Sequence, residues 1–224
     1  MSIIQTILET ANINRTLPLP LGGYYSNGTL HDWSTTNATH QTYGSITFPN
    51  GTKGNVQRLS GQEYLLTQSL GSVASVNINL WFYPTDVGKI LISELSNPYE
   101  NAYYHYTMLE INSSGNVLGR VWQMTVPDIL TSVGTVTVNA WNHLYFYYNS
   151  STGMVGMSLN NATAVTFSFP SRNAPAASIF GIGVVDDTYM QVNARYQGKF
   201  DTLTIDTSIT GSNYSTTVAK YTSP

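Results

Sequence analysis

The chain has 224 residues, 42% of them hydrophobic, which is enough for one domain to bury a sizeable core; it has no cysteine, so disulfides are excluded. Charged residues make up only 9%, and nine Lys and Arg against twelve Asp and Glu give a net charge of −3. The basic residues are scattered, which excludes a phosphate-binding stripe of the kind that nucleic-acid-binding proteins use. No apolar run approaches the roughly 20 residues of a membrane-spanning helix.

The first 23 residues are predicted to form an N-terminal arm or tail. Apolar residues at helical spacing in residues 1–10 are followed by Pro18 and Pro20, which forbid a helix there. Two alternatives stay open: a tail that packs on its own domain, and an arm that docks on a neighbouring subunit. The opening residues lack the basic stretch of a classical signal peptide, so none is predicted. We expect one β domain at 24–210 and a C-terminal tail at 211–224 that packs on the domain or is disordered.

The chain beyond residue 23 reads as β-strands separated by turns. Residues 76–83 alternate aliphatic side chains with polar or aromatic ones up to Pro84, which predicts a strand with one face in a core. Turn signals such as Ser114-Gly115 and the segment 149–152 separate further runs of this kind. These further runs predict strands at 89–95, 101–111, 117–124, 141–148, 153–159, 179–185 and 198–205.

Six segments of the chain, in this order, carry a resemblance to a known fold family. They are GQEYL at 61–65, VNINLWFYP at 76–84, KILIS at 89–93, WNHLYFYY at 141–148, GMVGMSLN at 153–160 and GKFDTLTI at 198–205. The set resembles the concanavalin A-like lectin/glucanase superfamily, in particular its laminin-G-like members, over roughly residues 40–208. The resemblance implies an all-β, two-sheet antiparallel jelly-roll sandwich whose concave sheet or rim loops bind glycans or protein partners.

The residues favour a protein that is not an enzyme. The E-x-D-x-x-E pattern of the superfamily's glucanases is absent, and Glu94 and Glu110 lie on separate predicted strands. Asp201 and Asp206 are five residues apart, which in a continuous strand predicts opposite faces. There is no cysteine nucleophile and no G-x-S-x-G motif, and none of the four histidines stands in a triad context.

Aromatic and amide side chains are the candidate ligand-binding residues. Flat aromatic faces pack on the C–H surfaces of sugars, while amides bind hydroxyl groups. The candidates for a glycan site are Asn77, Asn79, Trp81, Tyr83, Tyr104, Tyr106, Trp122 and Tyr189. The alternative is that these aromatic residues only stabilise the sheets through cross-strand pairs.

Two other kinds of site are suggested by short motifs. Asp186 and Asp187 form the only adjacent acidic pair and could hold Ca²⁺, the alternative being an exposed turn; no other cofactor is expected. N-x-S/T sequons predict glycosylation sites at Asn14, Asn27, Asn37, Asn50, Asn112, Asn149, Asn161 and Asn213.

These features lead to a functional hypothesis with two alternatives. We expect a non-enzymatic exposed surface protein, namely a virion structural or attachment domain of spike, turret or fibre-head type that recognises glycans. Its partners would be other copies in a homo-oligomer, neighbouring particle proteins and cell-surface glycans, and its location the virion surface or the extracellular space. The first alternative is a freestanding carbohydrate-binding module or lectin, and the second is a glycoside hydrolase. The low charge also predicts that acid costs the fold little stability.

Overall fold

A computed structural model describes the backbone of seventeen strands and their closer connections. Side chains are described at 71–94, 108–121, 128–170, 172, 178–183, 196–200 and 205; the backbone alone is described at 24–26, 29–31, 39–43, 50–51, 54–55, 57–60, 64–66, 95–96, 106–107, 201–204 and 206. This part of the chain contains no helix, and therefore no helix that could span a membrane. The predicted N-terminal arm at 1–23 and tail at 211–224 lie outside the described residues.

The strands, in chain order, are short at the N-terminal end and longer from residue 76 onward. They are β1 (Tyr24–Ser26), β2 (Thr29–His31), β3 (Thr39–Tyr43), β4 (Asn50–Gly51), β5 (Gly54–Asn55), β6 (Gln57–Ser60), β7 (Tyr64–Leu66), β8 (Val76–Pro84), β9 (Lys89–Ser96), β10 (Tyr106–Ile111), β11 (Val117–Gly119), β12 (Leu130–Thr131), β13 (Asn142–Asn149), β14 (Met154–Leu159), β15 (Val165–Ser168), β16 (Ser178–Ile182) and β17 (Gln197–Asp206).

The strands form two main antiparallel sheets and one small ladder. One sheet has nine strands in the order β1-β2-β3-β7-β16-β9-β10-β11-β12, and the other has six in the order β15-β14-β13-β8-β17-β6. The strands β4 and β5 pair with each other. Neighbours within each sheet pair antiparallel, and non-consecutive strands such as β8 and β17 lie side by side. This arrangement confirms the predicted all-β, two-sheet jelly-roll sandwich.

The core is made of aliphatic and aromatic side chains contributed by both sheets. On β8, Val76, Ile78, Leu80 and Phe82 are completely buried in it, as the alternation along this strand predicts. The six-stranded sheet adds further core residues from β13, β14 and β17, and the nine-stranded sheet adds others from β9, β10, β11 and β16. They include Leu144, Phe146, Val155, Met157, Phe200, Leu91, Leu109, Val117 and Phe180.

A buried ion pair ties the segment after β15 to the nine-stranded sheet. The Arg172 guanidinium donates to both carboxylate oxygens of Glu94 at 2.9 and 2.7 Å, and the side chains of both residues are essentially inaccessible. The Ser178 hydroxyl also donates to Glu94, and Arg172 donates to the carbonyl of Val73. Because both charges are paired and hydrogen-bonded, the sandwich tolerates them in its interior.

The predicted hairpins are confirmed, but two predicted strands are too long. Strands β13 and β14 pair across residues 149–154, and β10 and β11 pair across the Ser114-Gly115 turn. The strand predicted at 117–124 ends at Gly119, and the strand predicted at 179–185 ends at Ile182.

Candidate ligand-binding face

The candidate site is the face of the six-stranded sheet that points away from the core. We call this surface the outer face; on the two central strands it consists of Asn77, Asn79, Trp81 and Tyr83 on β8, and of His143, Tyr145 and Tyr147 on β13. Because successive side chains of a strand point to opposite sides, these residues alternate with the core residues of the same strands. The register of β8 and β13 sets Trp81 opposite His143, Asn79 opposite Tyr145 and Asn77 opposite Tyr147.

Aromatic rings form cross-strand contacts along this face. The rings of Trp81 and His143 are tilted, with their centroids 4.8 Å apart. Tyr83 meets Trp141, the residue just before β13, edge to face with the centroids 5.7 Å apart. Trp81, Tyr83, Trp141 and Tyr147 are half-buried, so each keeps part of its ring in contact with solvent.

Polar side chains lie between these rings and are almost completely buried. Asn77 is 3% exposed, and Asn79, His143 and Tyr145 are each 1% exposed. His143 Nε2 lies 2.5 Å from Asn79 Oδ1, and the Tyr145 hydroxyl donates to Asn77 Oδ1 at 2.9 Å. These two hydrogen bonds run diagonally between β13 and β8 and hold both amides in place.

His143 is neutral at physiological pH. Burial removes water from the imidazole and lowers its pKa from 6.5 to about 4. A neutral imidazole carries one proton, so Nε2–H donates to Asn79 Oδ1 and Nδ1 keeps a free lone pair.

Several buried polar atoms of this face have no hydrogen-bond partner. In the described part of the chain five buried side-chain atoms lack one, and three of these are Asn79 Nδ2, Trp81 Nε1 and His143 Nδ1. The other two, Ser93 Oγ and Arg120 Nε, belong to residues on or beside the nine-stranded sheet. Buried polar groups are nearly always paired, so three unpaired atoms on adjacent residues mark this place on the face.

A glycine sets the position of the outermost ring on β13. Tyr147 lies opposite Gly156 of β14, and a Cβ built on Gly156 would overlap the Tyr147 ring. The absence of a side chain therefore lets this ring lie across the neighbouring strand. Burial against the sheet also raises the pKa of the Tyr147 hydroxyl, which stays protonated.

Strand β17 adds charged positions beside the aromatic rings. Lys199 Nζ lies 4.8 Å from the centroid of the Tyr83 ring, a cation–π contact. Asp201 pairs with Trp81 and Thr204 with Asn79, so three steps on β17 match two on β8 and the strand contains a bulge.

The bulge corrects the prediction that Asp201 and Asp206 point to opposite faces. Asp206 pairs with Asn77, so the register places both aspartates on the outer face. Their partners Trp81 and Asn77 are four residues apart, which is about 13 Å along a strand. This separation exceeds the roughly 5–9.5 Å between the two carboxylates of glycoside hydrolases.

Of the other sequence-predicted ligand residues, Tyr106 lies in the other sheet and the remaining three lie outside the described residues. Tyr106 is the first residue of β10 in the nine-stranded sheet, so it does not share a sheet with Trp81 and Tyr83. Tyr104, Trp122 and Tyr189 lie outside the described residues, as do Asp186 and Asp187, where Ca²⁺ was predicted. Within the described ranges, no three His, Asp or Glu side chains come together as a metal site.

Three predicted sequon asparagines have described side chains. Asn149 is 6% exposed, and its Oδ1 accepts from the Ser151 amide. Asn112 is half-buried, and its Oδ1 accepts from the amides of Ser114 and Asn116. Asn161 is exposed in a turn with a φ of 60°, so it is the most accessible of the three.

The carboxylates on the predicted strands β9 and β10 are both engaged in ion pairs. Glu94 is bound by Arg172, as described above, and Glu110 lies 3.2 Å from Arg120. Both strands belong to the nine-stranded sheet, so neither carboxylate lies on the outer face.

Sequence reasoning found the β8 half of the outer face and missed its β13 half. Trp141, His143, Tyr145 and Tyr147 alternate with Leu144, Phe146 and Tyr148 just as the outer and core residues of β8 do. This alternation was the signal in the sequence, but by itself it indicates only that these side chains pack in a sheet. The register, which pairs β13 with β8, places them on the same face as Asn79 and Trp81.

Comparison with solved structures finds the same architecture in several proteins. Domain 4 of AbnA, a GH43 extracellular arabinanase from Geobacillus stearothermophilus solved with arabinotriose, aligns with a TM-score of 0.51 and 19% identity over 85% of this chain and 93% of that one. A heptameric SAP-like pentraxin from Limulus polyphemus gives a TM-score of 0.52 and 13% identity over 74% and 77% of the two chains. The binding domain of botulinum neurotoxin DC, in complex with SialylT, gives 0.51 and 12% over 85% of this chain and 47% of that chain.

Sequence comparisons add nothing to this likeness. No family model matches the chain, and no curated protein matches it. At identities below 20% the structural likeness establishes the fold alone. The two antiparallel sheets, their shared core and these alignments show that the chain has a two-sheet antiparallel jelly-roll fold.

Proposed function

We propose that the protein is a non-enzymatic carbohydrate-binding domain that holds a saccharide on its outer face. The observation that carries this proposal is the row of half-buried rings, Trp81, Tyr83, Trp141 and Tyr147, beside buried amide and imidazole groups. Such rings offer flat apolar faces to the C–H surface of a sugar, and the polar groups beside them bind its hydroxyls. Ligand sites typically combine a mostly apolar lining with a few fixed polar groups.

Two of the structural neighbours support this choice. The arabinanase domain was solved with arabinotriose, and the neurotoxin binding domain was solved with SialylT. The pentraxin neighbour is heptameric, which supports our expectation that this protein also works as an oligomer. In an oligomer, several weak saccharide sites act together and bind a glycan-rich surface more tightly than one site does.

We also propose that the protein does not hydrolyse the saccharides that it binds. Glu94 and Glu110 are engaged with arginines, and the positions of Asp201 and Asp206 on the outer face lie too far apart for a glycosidase pair. We expect no hydrolysis of any saccharide that the protein binds.

We further propose that the domain is displayed on a virus particle as an attachment or structural protein. The support is compositional: 9% charged residues, eight sequons and a chain rich in Thr, Ser, Asn and Tyr. Immunogold labelling of intact particles from the source would detect the protein on their surface. Labelling only of free protein would instead favour a freestanding lectin or carbohydrate-binding module.

The experiment that tests saccharide binding is a broad glycan array probed with the full chain, once with Ca²⁺ and once with EDTA. We expect specific binding that Trp81→Ala abolishes and that Phe167→Ala preserves. Phe167 is a matched control because it is 37% exposed and lies on β15, at the edge of the same sheet. Absence of binding by well-folded protein, or equal loss in both variants, would overturn the proposal.

A further inference from the structure

We infer that Asn79, Trp81 and His143 form a subsite for the hydroxyl groups of an uncharged saccharide, and that acidic sugars are excluded from it. This inference rests on the proposed function and adds the class of sugar and the atoms that select it. It starts from the three unpaired atoms Asn79 Nδ2, Trp81 Nε1 and His143 Nδ1.

The three residues are held as one unit. Asn79 and Trp81 project from the same side of β8, and His143 lies opposite Trp81 on β13. The His143 ring contacts Trp81 at 4.8 Å between centroids and is hydrogen-bonded to Asn79 through Nε2. The internal contacts therefore use one polar atom of Asn79 and one of His143, and leave the other polar atom of each free.

The free atoms present both donors and an acceptor. The Trp81 indole N–H donates, the Asn79 amide NH₂ donates, and His143 Nδ1 accepts. Rotating the Asn79 amide and moving the imidazole proton to Nδ1 would exchange the roles of Asn79 and His143, but one donor and one acceptor would still remain. The mixture of donors with an acceptor does not depend on how the amide is oriented.

A hydroxyl group complements this mixture, and an anionic group does not. Each hydroxyl has one donor and two acceptor positions, so adjacent sugar hydroxyls can pair with both kinds of atom. A carboxylate or sulfate offers acceptors only and would place a negative charge against the bare lone pair of a neutral imidazole. Burial keeps His143 neutral above pH 4, since its pKa is lowered to about 4.

One described cation lies beside the subsite and contacts a neighbouring ring. Lys199 Nζ lies over the Tyr83 ring, two residues along β8 from Trp81. The three subsite residues themselves carry no positive charge at neutral pH, since His143 is neutral.

Trp81 is where the subsite meets solvent. Asn79 and His143 are each 1% exposed, whereas Trp81 is half-buried. A saccharide on the outer face therefore meets the subsite at Trp81, and its hydroxyls pair there with the indole N–H. The indole N–H signal of Trp81 therefore reports directly on occupation of the subsite.

The test distinguishes the contribution of the Trp81 indole N–H to binding from that of the aromatic ring. Trp81→Phe keeps a ring on the outer face and removes the N–H, while Trp81→Ala removes both. The full chain is titrated with neutral probes (galactose, glucose, mannose, N-acetylglucosamine and arabinotriose) and with acidic ones (N-acetylneuraminic acid and galacturonic acid). We expect the neutral probes alone to bind, with affinity about tenfold weaker in Trp81→Phe, undetectable in Trp81→Ala and unchanged in Phe167→Ala.

A second measurement, made on the wild-type protein, keeps the inference testable if Trp81→Ala folds poorly. The chain has four tryptophans, and in ¹H–¹⁵N spectra the indole signal that disappears in Trp81→Phe belongs to Trp81. In the wild-type protein this signal should shift as the neutral saccharide is added.

The two proposals fail in different ways. If a saccharide binds but Trp81→Phe keeps wild-type affinity, or the indole signal does not shift, or only acidic sugars bind, the subsite is wrong and the carbohydrate-binding function stands. If no saccharide in the panel or the array binds, both fail.

Discussion

Burial of His143 makes a quantitative prediction for stability at acid pH. Folding lowers the pKa of this imidazole from 6.5 to about 4. As the pH falls through 6.5 the unfolded chain takes up a proton at this side chain, whereas the folded chain takes it up only near pH 4. The free energy of unfolding therefore decreases from about pH 6.5 to about pH 4, and this contribution is complete below pH 4.

The magnitude follows from the difference between the two pKa values. Each pKa unit corresponds to about 1.4 kcal/mol, so the loss is about 3 kcal/mol. For a chain of this size each kcal/mol lowers the melting temperature by about 2–4 °C, which gives a decrease of about 6–12 °C. The low charge content predicts little acid-induced loss from carboxylates, but composition does not reveal the burial of His143. This side chain therefore adds a loss that composition alone does not predict, and it should account for much of the change.

Thermal and urea unfolding of the wild-type protein and of His143→Gln at pH 7.5, 6.5, 5 and 4 would measure this effect. Glutamine is neutral throughout this range, so the variant should lack the His143 contribution, while His31, His40 and His105 titrate in both proteins. We expect the wild-type protein to lose about 3 kcal/mol more than the variant between pH 7.5 and 4. Equal losses would refute the reasoning, because they would show that His143 takes up its proton at the same pH in both states.

Three substitutions test other parts of the structure. Glu94→Gln leaves the buried Arg172 charge without a counter-ion, and should lower the free energy of unfolding in urea by about 3–5 kcal/mol. Gly198→Ala should cost more than about 3 kcal/mol in the same assay, since its φ of 144° is strained for alanine and the new Cβ would overlap a backbone carbonyl. Gly156→Ala should displace the Tyr147 ring and weaken saccharide binding severalfold in titration calorimetry.

Each of these predictions has a control. Gly134 also has a positive φ, 80°, but there is open space around a Cβ built on it, so Gly134→Ala should cost only about 1 kcal/mol. If Gly134→Ala cost as much as Gly198→Ala, the overlap of the new Cβ with the backbone carbonyl would not be the cause of the loss. Replacing both Glu94 and Arg172 with leucine should be less harmful than Glu94→Gln alone. Unchanged binding in Gly156→Ala would remove Tyr147 from the candidate site.

Local sequence patterns predicted the long strands well. The alternation from Val76 to Phe82, which ends at Pro84, predicted strand β8 and its core face. The strand and its buried face are both confirmed. The hairpin between β13 and β14 was also predicted, because its turn follows directly on an aromatic strand. In both cases the signal and the structure lie within the same few residues.

Pairing between distant strands could not be predicted in this way. Tyr106 and Trp81 are both aromatic and 25 positions apart in the chain, yet they belong to different sheets. Trp81 and His143 are farther apart in the chain and lie opposite each other. Strand order depends on which apolar faces share a core, and the sequence of a single strand does not reveal this.

The bulge in β17 was not predicted either. One extra residue reverses the alternation that assigned Asp201 and Asp206 to opposite faces.

The unpaired atoms of the outer face are difficult to explain as structural features. Each buried donor or acceptor without a partner costs about 1–3 kcal/mol, so three of them consume a substantial share of the roughly 5–15 kcal/mol by which a folded domain is stable. Leucine or phenylalanine at positions 79 and 143 would fill the same sheet without this cost. In the subsite that we propose, the hydroxyl groups of a saccharide would pair with these atoms and remove this cost, so the energy that folding leaves unused at Asn79, Trp81 and His143 would favour binding.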